Sequence, residues 1–129
     1  MQPITILIAD DDAMIRQCLR RAVECDPQLQ ICWEADNGLK ALCLAQQFHP
    51  DLVLMDAQMP RMDGIEATRC LRQRNHTTRI LVMSVYDQMR AQALAAGADG
   101  FVTKDCGCEA IREAIHRLVG TRETEAARG

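Results

Sequence analysis

Four carboxylates, one hydroxyl and one ammonium stand at the ends of short apolar runs in this sequence: Asp10, Asp11, Asp12, Asp56, Ser84 and Lys104. Carboxylates gathered in one pocket repel one another and raise each other's pKa. A divalent cation relieves this repulsion, and oxygen ligands without His or Cys suit Mg²⁺, with Mn²⁺ as the alternative. The residue types therefore indicate a magnesium site, provided that the fold brings them together.

A lysine and a hydroxyl beside such a cation would suit phosphoryl transfer. Mg²⁺ leaves positions for phosphate oxygens, and Lys104 and Ser84 could neutralise the charge of a transferring phosphoryl group. We assign Asp56 as the nucleophile, which would give an aspartyl phosphate. Taken singly, each residue has a simpler interpretation: Asp12 is predicted to cap a helix, Asp56 could lie in a turn, and the other two could be surface residues. Their joint placement at successive strand ends favours a site.

Five short apolar runs alternate with five longer amphipathic stretches. The runs predict strands at Ile4–Ala9, Leu29–Ala35, Leu52–Met55 and Ile80–Val85, and a short fifth strand around Phe101. The stretches between and after them have helical spacing. Strand–helix units repeated five times predict a doubly wound α/β fold, a parallel sheet with helices on both faces. In such a sheet, ligands bind at the carboxyl ends of the strands, where the polar residues stand.

Length and composition indicate one ordinary globular domain. The chain has 129 residues, 48% hydrophobic and 26% charged, with a net charge of −3. This acidic balance gives no reason to expect nucleic-acid binding by the segment. We see no membrane-spanning run and no secretion signal, and therefore expect a cytoplasmic protein. We expect its seven cysteines to be reduced and to serve mainly as small apolar residues, rather than in metal or redox chemistry.

The last ten residues have no apolar periodicity. We interpret residues 120–129 as a frayed helix end followed by a tail or the start of an interdomain linker, and residues 1–119 as the domain.

Four segments together resemble the receiver domains of two-component response regulators. They are Ile6–Asp12, Asp51–Pro60 with Met62–Gly64, Val82–Asp87 and Gly97–Lys104. The resemblance covers about residues 4–119 and is closest to the NarL/FixJ-type subfamily. It implies a flavodoxin-like fold with five helices and a five-stranded sheet in the order 2-1-3-4-5.

The resemblance also implies a set of roles at the site. Asp56 would be the phosphoacceptor and a Mg²⁺ ligand. Asp11 would bind Mg²⁺ directly, the backbone carbonyl of Gln58 would be the third protein ligand, and Asp10 would act behind them, through water. Lys104 would pair with the phosphoryl oxygens.

Two further residues match the family's switch positions. The hydroxyl of Ser84 would move towards the phosphoryl group, and Phe101 would rotate into the space vacated. The surface of helix 4, strand 5 and helix 5 would then change shape. The chain departs from common family members in having Phe101 where Tyr also occurs and Asp105 where many have Pro. Tyr86 stands at a position that tunes water access, and we expect its bulk to slow hydrolysis.

The sequence therefore predicts a phosphorylation-dependent signalling switch, and not an enzyme beyond its own phosphorylation and slow autodephosphorylation. Its partner would be a sensor histidine kinase or a phosphotransfer protein, and its output transcription, through a helix-turn-helix domain that follows. A single-domain regulator and a homodimer, formed through helices 1 and 5 or helices 4 and 5, stay open. Two alternatives are a degenerate receiver that only binds proteins and a Mg²⁺-dependent aspartyl-phosphate phosphatase; Gln58, where a phosphatase needs an acid/base carboxylate, disfavours the second.

Overall fold

The computed structural model describes residues 2–74 and 77–128, with side chains as far as residue 120. Five strands alternate with five helices, as predicted. In chain order they are β1 (Ile4–Ala9), α1 (Ala13–Glu24), β2 (Leu29–Ala35), α2 (Gly38–Phe48), β3 (Leu52–Asp56), α3 (Gly64–Gln73), β4 (Arg79–Ser84), α4 (Arg90–Ala95), β5 (Gly100–Thr103) and α5 (Cys108–Arg128), with one 3₁₀ turn, Asp87–Met89, before α4.

The five strands form one parallel sheet in the order β2-β1-β3-β4-β5, which confirms the predicted topology. β1 lies between β2 and β3, at the point where the order of the strands changes direction. Ala9 pairs with Met55, so Asp10 follows β1 beside the end of β3. Asp56 is the last residue of β3 and Ser84 the last of β4. The polar residues chosen from the sequence therefore stand at one edge of the sheet.

Successive strand residues point to opposite faces of the sheet, and each face carries its own apolar layer. α1 and α5 cover one face, and α2, α3 and α4 cover the other. The strand side chains of the first layer include Ile6, Ile8, Leu52, Leu54, Leu81 and Met83. Those of the second include Leu7, Val53, Met55, Ile80, Val82 and Phe101. Burial on both faces explains the continuous apolar runs in the sequence.

Side-chain caps start the helices that follow β1, β2 and β3. The carboxylate of Asp12 accepts hydrogen bonds from the backbone N–H of Met14 (2.9 Å) and of Ile15 (3.4 Å). This confirms its predicted role as the cap of α1. Asn37 caps α2 and Asp63 caps α3 in the same way. Because Asp12 is committed to the helix, Asp10 and Asp11 are the members of the triplet that face the site.

One sequence expectation, on the end of the chain, was wrong. The helix does not fray after residue 119, because α5 continues to Arg128; its Glu, Arg and Ala residues are good helix formers without an apolar stripe. The assignment of residues 120–129 to a tail or an interdomain linker stays a prediction. All seven cysteines are free, as expected; none is buried, and Cys70 and Cys106 pack against the two apolar layers as partly buried residues. Within the described residues, none of the helices is both long and apolar enough to span a bilayer.

Candidate functional site

Three carboxylates meet at the carboxyl edge of the sheet. Oxygen atoms of Asp10, Asp11 and Asp56 all lie within 4.8 Å of one another. Asp10 is completely buried and Asp56 is 5% exposed, whereas Asp11 faces solvent. The pairing of β1 with β3 brings Asp10 and Asp56 together, and Asp11 follows at the start of the β1–α1 connection. The side of the cluster formed by Asp10 and Asp56 is therefore shielded from water, and the side formed by Asp11 is open to an incoming group.

Lys104 follows β5, two strands away from β3, and its side chain reaches the same cluster across the end of β4. Its Nζ lies 2.8 Å from Oδ2 of Asp10 and 3.1 Å from Oδ2 of Asp56. The backbone N–H of Lys104 donates to the carbonyl of Ser84 (2.9 Å), which fixes where the side chain begins. Because β4 lies between β5 and β3, only a long side chain can make this contact.

The charges at the site shift the pKa values of two groups. Burial raises the pKa of Asp56, and the neighbouring charge of Asp10 raises it further; Lys104 and the N–H of Gln58 oppose this without reversing it. Burial alone would lower the pKa of Lys104, but its hydrogen bond to Asp10 and the charges of Asp56 and Asp10 outweigh burial and raise it. The site therefore favours the charged form of Lys104 and disfavours the charged form of Asp56.

The donor set fits a hard divalent cation. The three clustered groups all offer carboxylate oxygens, and one ammonium leaves the cluster net negative. Such a set suits Mg²⁺ or Mn²⁺. Each oxygen of Asp10 already accepts a hydrogen bond, one from the N–H of Asp12 (2.9 Å) and one from Lys104 (2.8 Å). Asp11, exposed, is the more available ligand. Gln58 is anchored here by its N–H, which donates to Asp56 (3.3 Å).

Ser84 and Phe101 lie beside the cluster rather than in it. The Ser84 hydroxyl is nearly buried; it accepts from the N–H of Tyr86 (3.0 Å) and donates to the sulfur of Met89 (3.5 Å). Phe101 is 7% exposed and packs in the α2–α3–α4 layer. The guanidinium of Arg90 lies 4.8 Å from the centre of the Phe101 ring. The Lys104–Asp105 peptide is trans, like the other described peptide bonds.

A family model described as the response regulator receiver domain matches residues 6–116. The chain belongs to the response regulator receiver family. Its sheet order, five helices and acidic cluster are those expected from the resemblance seen in the sequence.

Known proteins place this receiver domain in the NarL/FixJ-type group. The nitrate/nitrite response regulator NarL of Escherichia coli (strain K12) is 36% identical over 118 residues, which is 90% of this chain and 55% of NarL. The transcriptional regulatory protein DegU of Brevibacillus brevis is 33% identical over 114 residues, 87% of this chain and 48% of DegU. The chain therefore spans about half the length of these curated relatives.

A solved structure agrees with the receiver fold. The signal receiver domain of a protein assigned as NarL from Mycobacterium tuberculosis superposes with a TM-score of 0.89 at 31% identity, over 93% of this chain and 98% of that one.

Two contributions to the receiver site were missed by the sequence analysis. Arg16 donates from Nη1 to the carbonyl of Asp10 (2.7 Å) and from Nε to Glu34 (3.0 Å), so β2 supports the end of β1 through α1. Nothing in the helical pattern separates Arg16 from solvent-facing arginines. The second is Gly64, where an added Cβ would lie 1.9 Å from the carbonyl oxygen of Asp56. The Met62–Gly64 motif was the available signal for this close approach.

Proposed function

We propose that this receiver domain is a phosphorylation-dependent switch of a two-component system, with Asp56 as its phosphoacceptor. The observation that carries the proposal is the contact of Lys104 with both Asp10 and Asp56 inside one acidic cluster. A carboxylate nucleophile needs counter-charge on the oxygens of the group it attacks, and this lysine is held where the group must arrive.

Each residue of the site has its own role in the reaction. An oxygen of Asp56 attacks phosphorus, the new P–O bond forms, and the bond from phosphorus to the donor's leaving atom breaks. Lys104 stabilises the phosphoryl oxygens. Asp11, Asp56 and the carbonyl of Gln58 would hold Mg²⁺, or Mn²⁺, directly, with Asp10 behind them through water. When bound, the ion supplies positive charge to the phosphoryl oxygens.

Switching follows from the partners of Ser84. A phosphoryl oxygen is a stronger acceptor than the sulfur of Met89, so the hydroxyl turns towards Asp56. The contacts that hold the 3₁₀ turn at Met89 then loosen, and Phe101 can change its position beneath Arg90. This shifts the population of the α4–β5–α5 surface, because the phosphoryl group makes better contacts in one packing than in the other.

The partner that this function needs is a sensor histidine kinase or a phosphotransfer protein, which supplies phosphohistidine in the cytoplasm. Output to transcription would pass through a DNA-binding helix-turn-helix domain, and a homodimer would use α1 and α5 or α4 and α5. An interaction module without phosphorylation is the alternative. An aspartyl-phosphate phosphatase is disfavoured because Gln58 replaces the acid/base carboxylate. The domain would then be no enzyme beyond its own phosphorylation and slow autodephosphorylation.

Phosphorylation by acetyl phosphate with Mg²⁺, followed by intact mass spectrometry, tests the proposal. We expect one phosphoryl group on the parent protein and none on Asp56→Asn. Asp36→Asn is the matched control, since this exposed carboxylate lies nearby but outside the acidic cluster. Equal labelling of Asp56→Asn and the parent would overturn the assignment, and a parent that takes no label but binds its kinase would favour the interaction module.

A further inference from the structure

A cavity of about 250 Å³ lies between α1 and α5 and opens to the surface. Its walls are almost wholly apolar, with Ile15, Leu19 and Ala22 from α1 and Ile111 from α5. Lys104 forms part of another wall, while its ammonium reaches the acidic cluster. The volume is below the roughly 300–1,000 Å³ of sites for drug-sized ligands, so a smaller molecule would fit.

Two cysteines line this cavity. Cys18 comes from α1 and Cys108 from the first position of α5. Both are free and exposed. The chain also provides internal references, because Cys25 and Cys43 are also free and exposed but lie outside the cavity; the thiol of Cys25 donates to the carbonyl of Ala22 (3.2 Å), so Cys43 is the cleaner reference. An apolar chamber with two soft nucleophiles at its surface therefore has a chemistry that the other exposed thiols lack.

We propose that this cavity is a covalent binding site for small apolar α,β-unsaturated carbonyl compounds, with Cys18 and Cys108 as the nucleophiles. The apolar walls bind the carbon skeleton before reaction, which raises the concentration of the alkene beside the thiols. The thiolate sulfur adds to the β-carbon; a C–S bond forms and the C=C π bond breaks. The electron pair passes to the carbonyl as an enolate, and the α-carbon then takes up the proton that the thiol lost.

The neighbouring thiol of Cys106 is not part of this site. Burial raises its pKa, which reduces the fraction present as thiolate. Cys108 differs from Cys106 in lining the cavity, at the first position of α5, with an exposed side chain. Selective reaction at Cys18 and Cys108 therefore needs both the cavity and the position of the thiols in it.

Competition between thiols within one molecule tests the site. The folded protein is treated with limiting N-phenylmaleimide, an apolar unsaturated carbonyl compound, or with a sulfonated maleimide of similar size, and the adducts are mapped by peptide mass spectrometry. Burying the phenyl ring should make Cys18 or Cys108 react about tenfold faster than Cys25 and Cys43, with a rate that saturates. The sulfonated reagent should show no such preference.

A variant that fills the cavity provides a second test of the proposal. Ala22→Leu places extra carbon in the chamber and leaves both thiols in place, so the preference should disappear; Ala91→Leu, on the exposed face of α4, should retain it. Equal labelling of the four exposed thiols by N-phenylmaleimide, or a preference that survives Ala22→Leu, would overturn the proposal. If Ala22→Leu does not fold, the contrast between the two reagents on the parent protein decides the question.

Discussion

The side chain of Lys104 extends along the carboxyl edge of the sheet to Asp56, and its ammonium lies 3.1 Å from the carboxylate. The contact crosses β4, which separates the strands from which the two residues come. It lowers the pKa of Asp56 against burial and against Asp10, which raise it. The lysine is therefore part of what keeps the proposed nucleophile ionised, in addition to any contact with an incoming phosphoryl group.

Lys104→Met should slow phosphorylation and change its pH dependence. Without the ammonium, the pKa of Asp56 rises further, so the carboxylate is lost at a higher pH as the solution is acidified. We expect acetyl phosphate labelling to slow by about tenfold or more, and the acid limb of the rate profile to move to higher pH. Lys40→Met, which removes an exposed lysine from α2, is the control. An unmoved acid limb would contradict this account of Lys104.

Asp11→Asn should remove most of the stabilisation that Mg²⁺ provides. An ion that binds only the folded state stabilises it by RT ln(1 + [L]/Kd), about 1.4 kcal/mol at ten times Kd. Asp11 is the exposed member of the cluster, so its replacement should leave the fold intact. Thermal unfolding with and without Mg²⁺ should show a rise in Tm for the parent and for Asp36→Asn, and little rise for Asp11→Asn. The same Mg²⁺ response in all three proteins would rule out Asp11 as a ligand.

Asp56→Asn should stabilise the protein at neutral pH when Mg²⁺ is absent. The folded-state pKa of Asp56 lies above its ordinary value of 3.8, so the folded protein holds this proton more tightly than the unfolded chain. Its contribution is therefore favourable below pH 3.8 and is lost as pH rises through the raised pKa. Urea unfolding should show a larger free energy of unfolding for Asp56→Asn at pH 7, and a difference that shrinks towards pH 4. A parent as stable as the variant at pH 7 would refute the strain assigned to this carboxylate.

Local patterns predicted the parts of the site that depend on strand ends. Asp10, Asp56 and Lys104 each follow a short apolar run, and the parallel sheet brings such ends together. The support of Asp10 by Arg16 was not predictable, because it depends on Glu34, 18 residues further along the chain. Nothing in a helical repeat indicates which of its arginines finds a partner on a neighbouring strand.

Two further features of the structure, the exposure of the cysteines and the contact of Ser84 with Met89, depend on packing rather than on local sequence preference. Five of the seven cysteines lie in helices or strands, but larger aliphatic side chains fill the core and the thiols lie outside it or at its margin. Ser84 was placed correctly at the end of β4, whereas its contact with Met89 depends on the 3₁₀ turn, whose three residues carry no periodic signal.

Arg90→Ala should loosen Phe101 and ease the proposed switch. The guanidinium stacks on the ring and donates from Nη1 to the Phe101 carbonyl (3.3 Å), so it stabilises the resting position. A cation–π contact of about 0.5–1 kcal/mol corresponds to a two- to fivefold change in the population of the two ring positions. Fluorine NMR of fluorophenylalanine, with a subsaturating phosphoryl mimic such as beryllofluoride, should show more of the second state. Arg69→Ala, an exposed arginine on α3, should change nothing, and an unchanged ratio in Arg90→Ala would contradict the prediction.

Arg61→Gly should stabilise the fold although it removes a side chain. Arg61 has φ of 70°, and the N–H of Met62 donates to the carbonyl of Pro60 (2.8 Å), so Arg61 is the central residue of a tight three-residue turn. Backbone strain of this kind costs about 1–3 kcal/mol, and glycine relieves it, whereas the greater freedom of glycine in the unfolded chain costs about 0.4–1 kcal/mol. The free energy of unfolding should therefore rise by about 1 kcal/mol.

The same substitution at Arg69 provides a control of opposite sign. Arg69 is exposed like Arg61 but lies inside α3, where glycine costs about 1 kcal/mol, and it also loses its ion pair with Glu66. Urea unfolding of both variants should therefore move the midpoint up for Arg61→Gly and down for Arg69→Gly. A fall in both would mean that the turn at Arg61 carries no strain that glycine can release. Because Arg61 borders the same cleft as Asp11, the Tm response to Mg²⁺ of Arg61→Gly would also show whether this turn must be rigid for the acidic cluster to bind an ion.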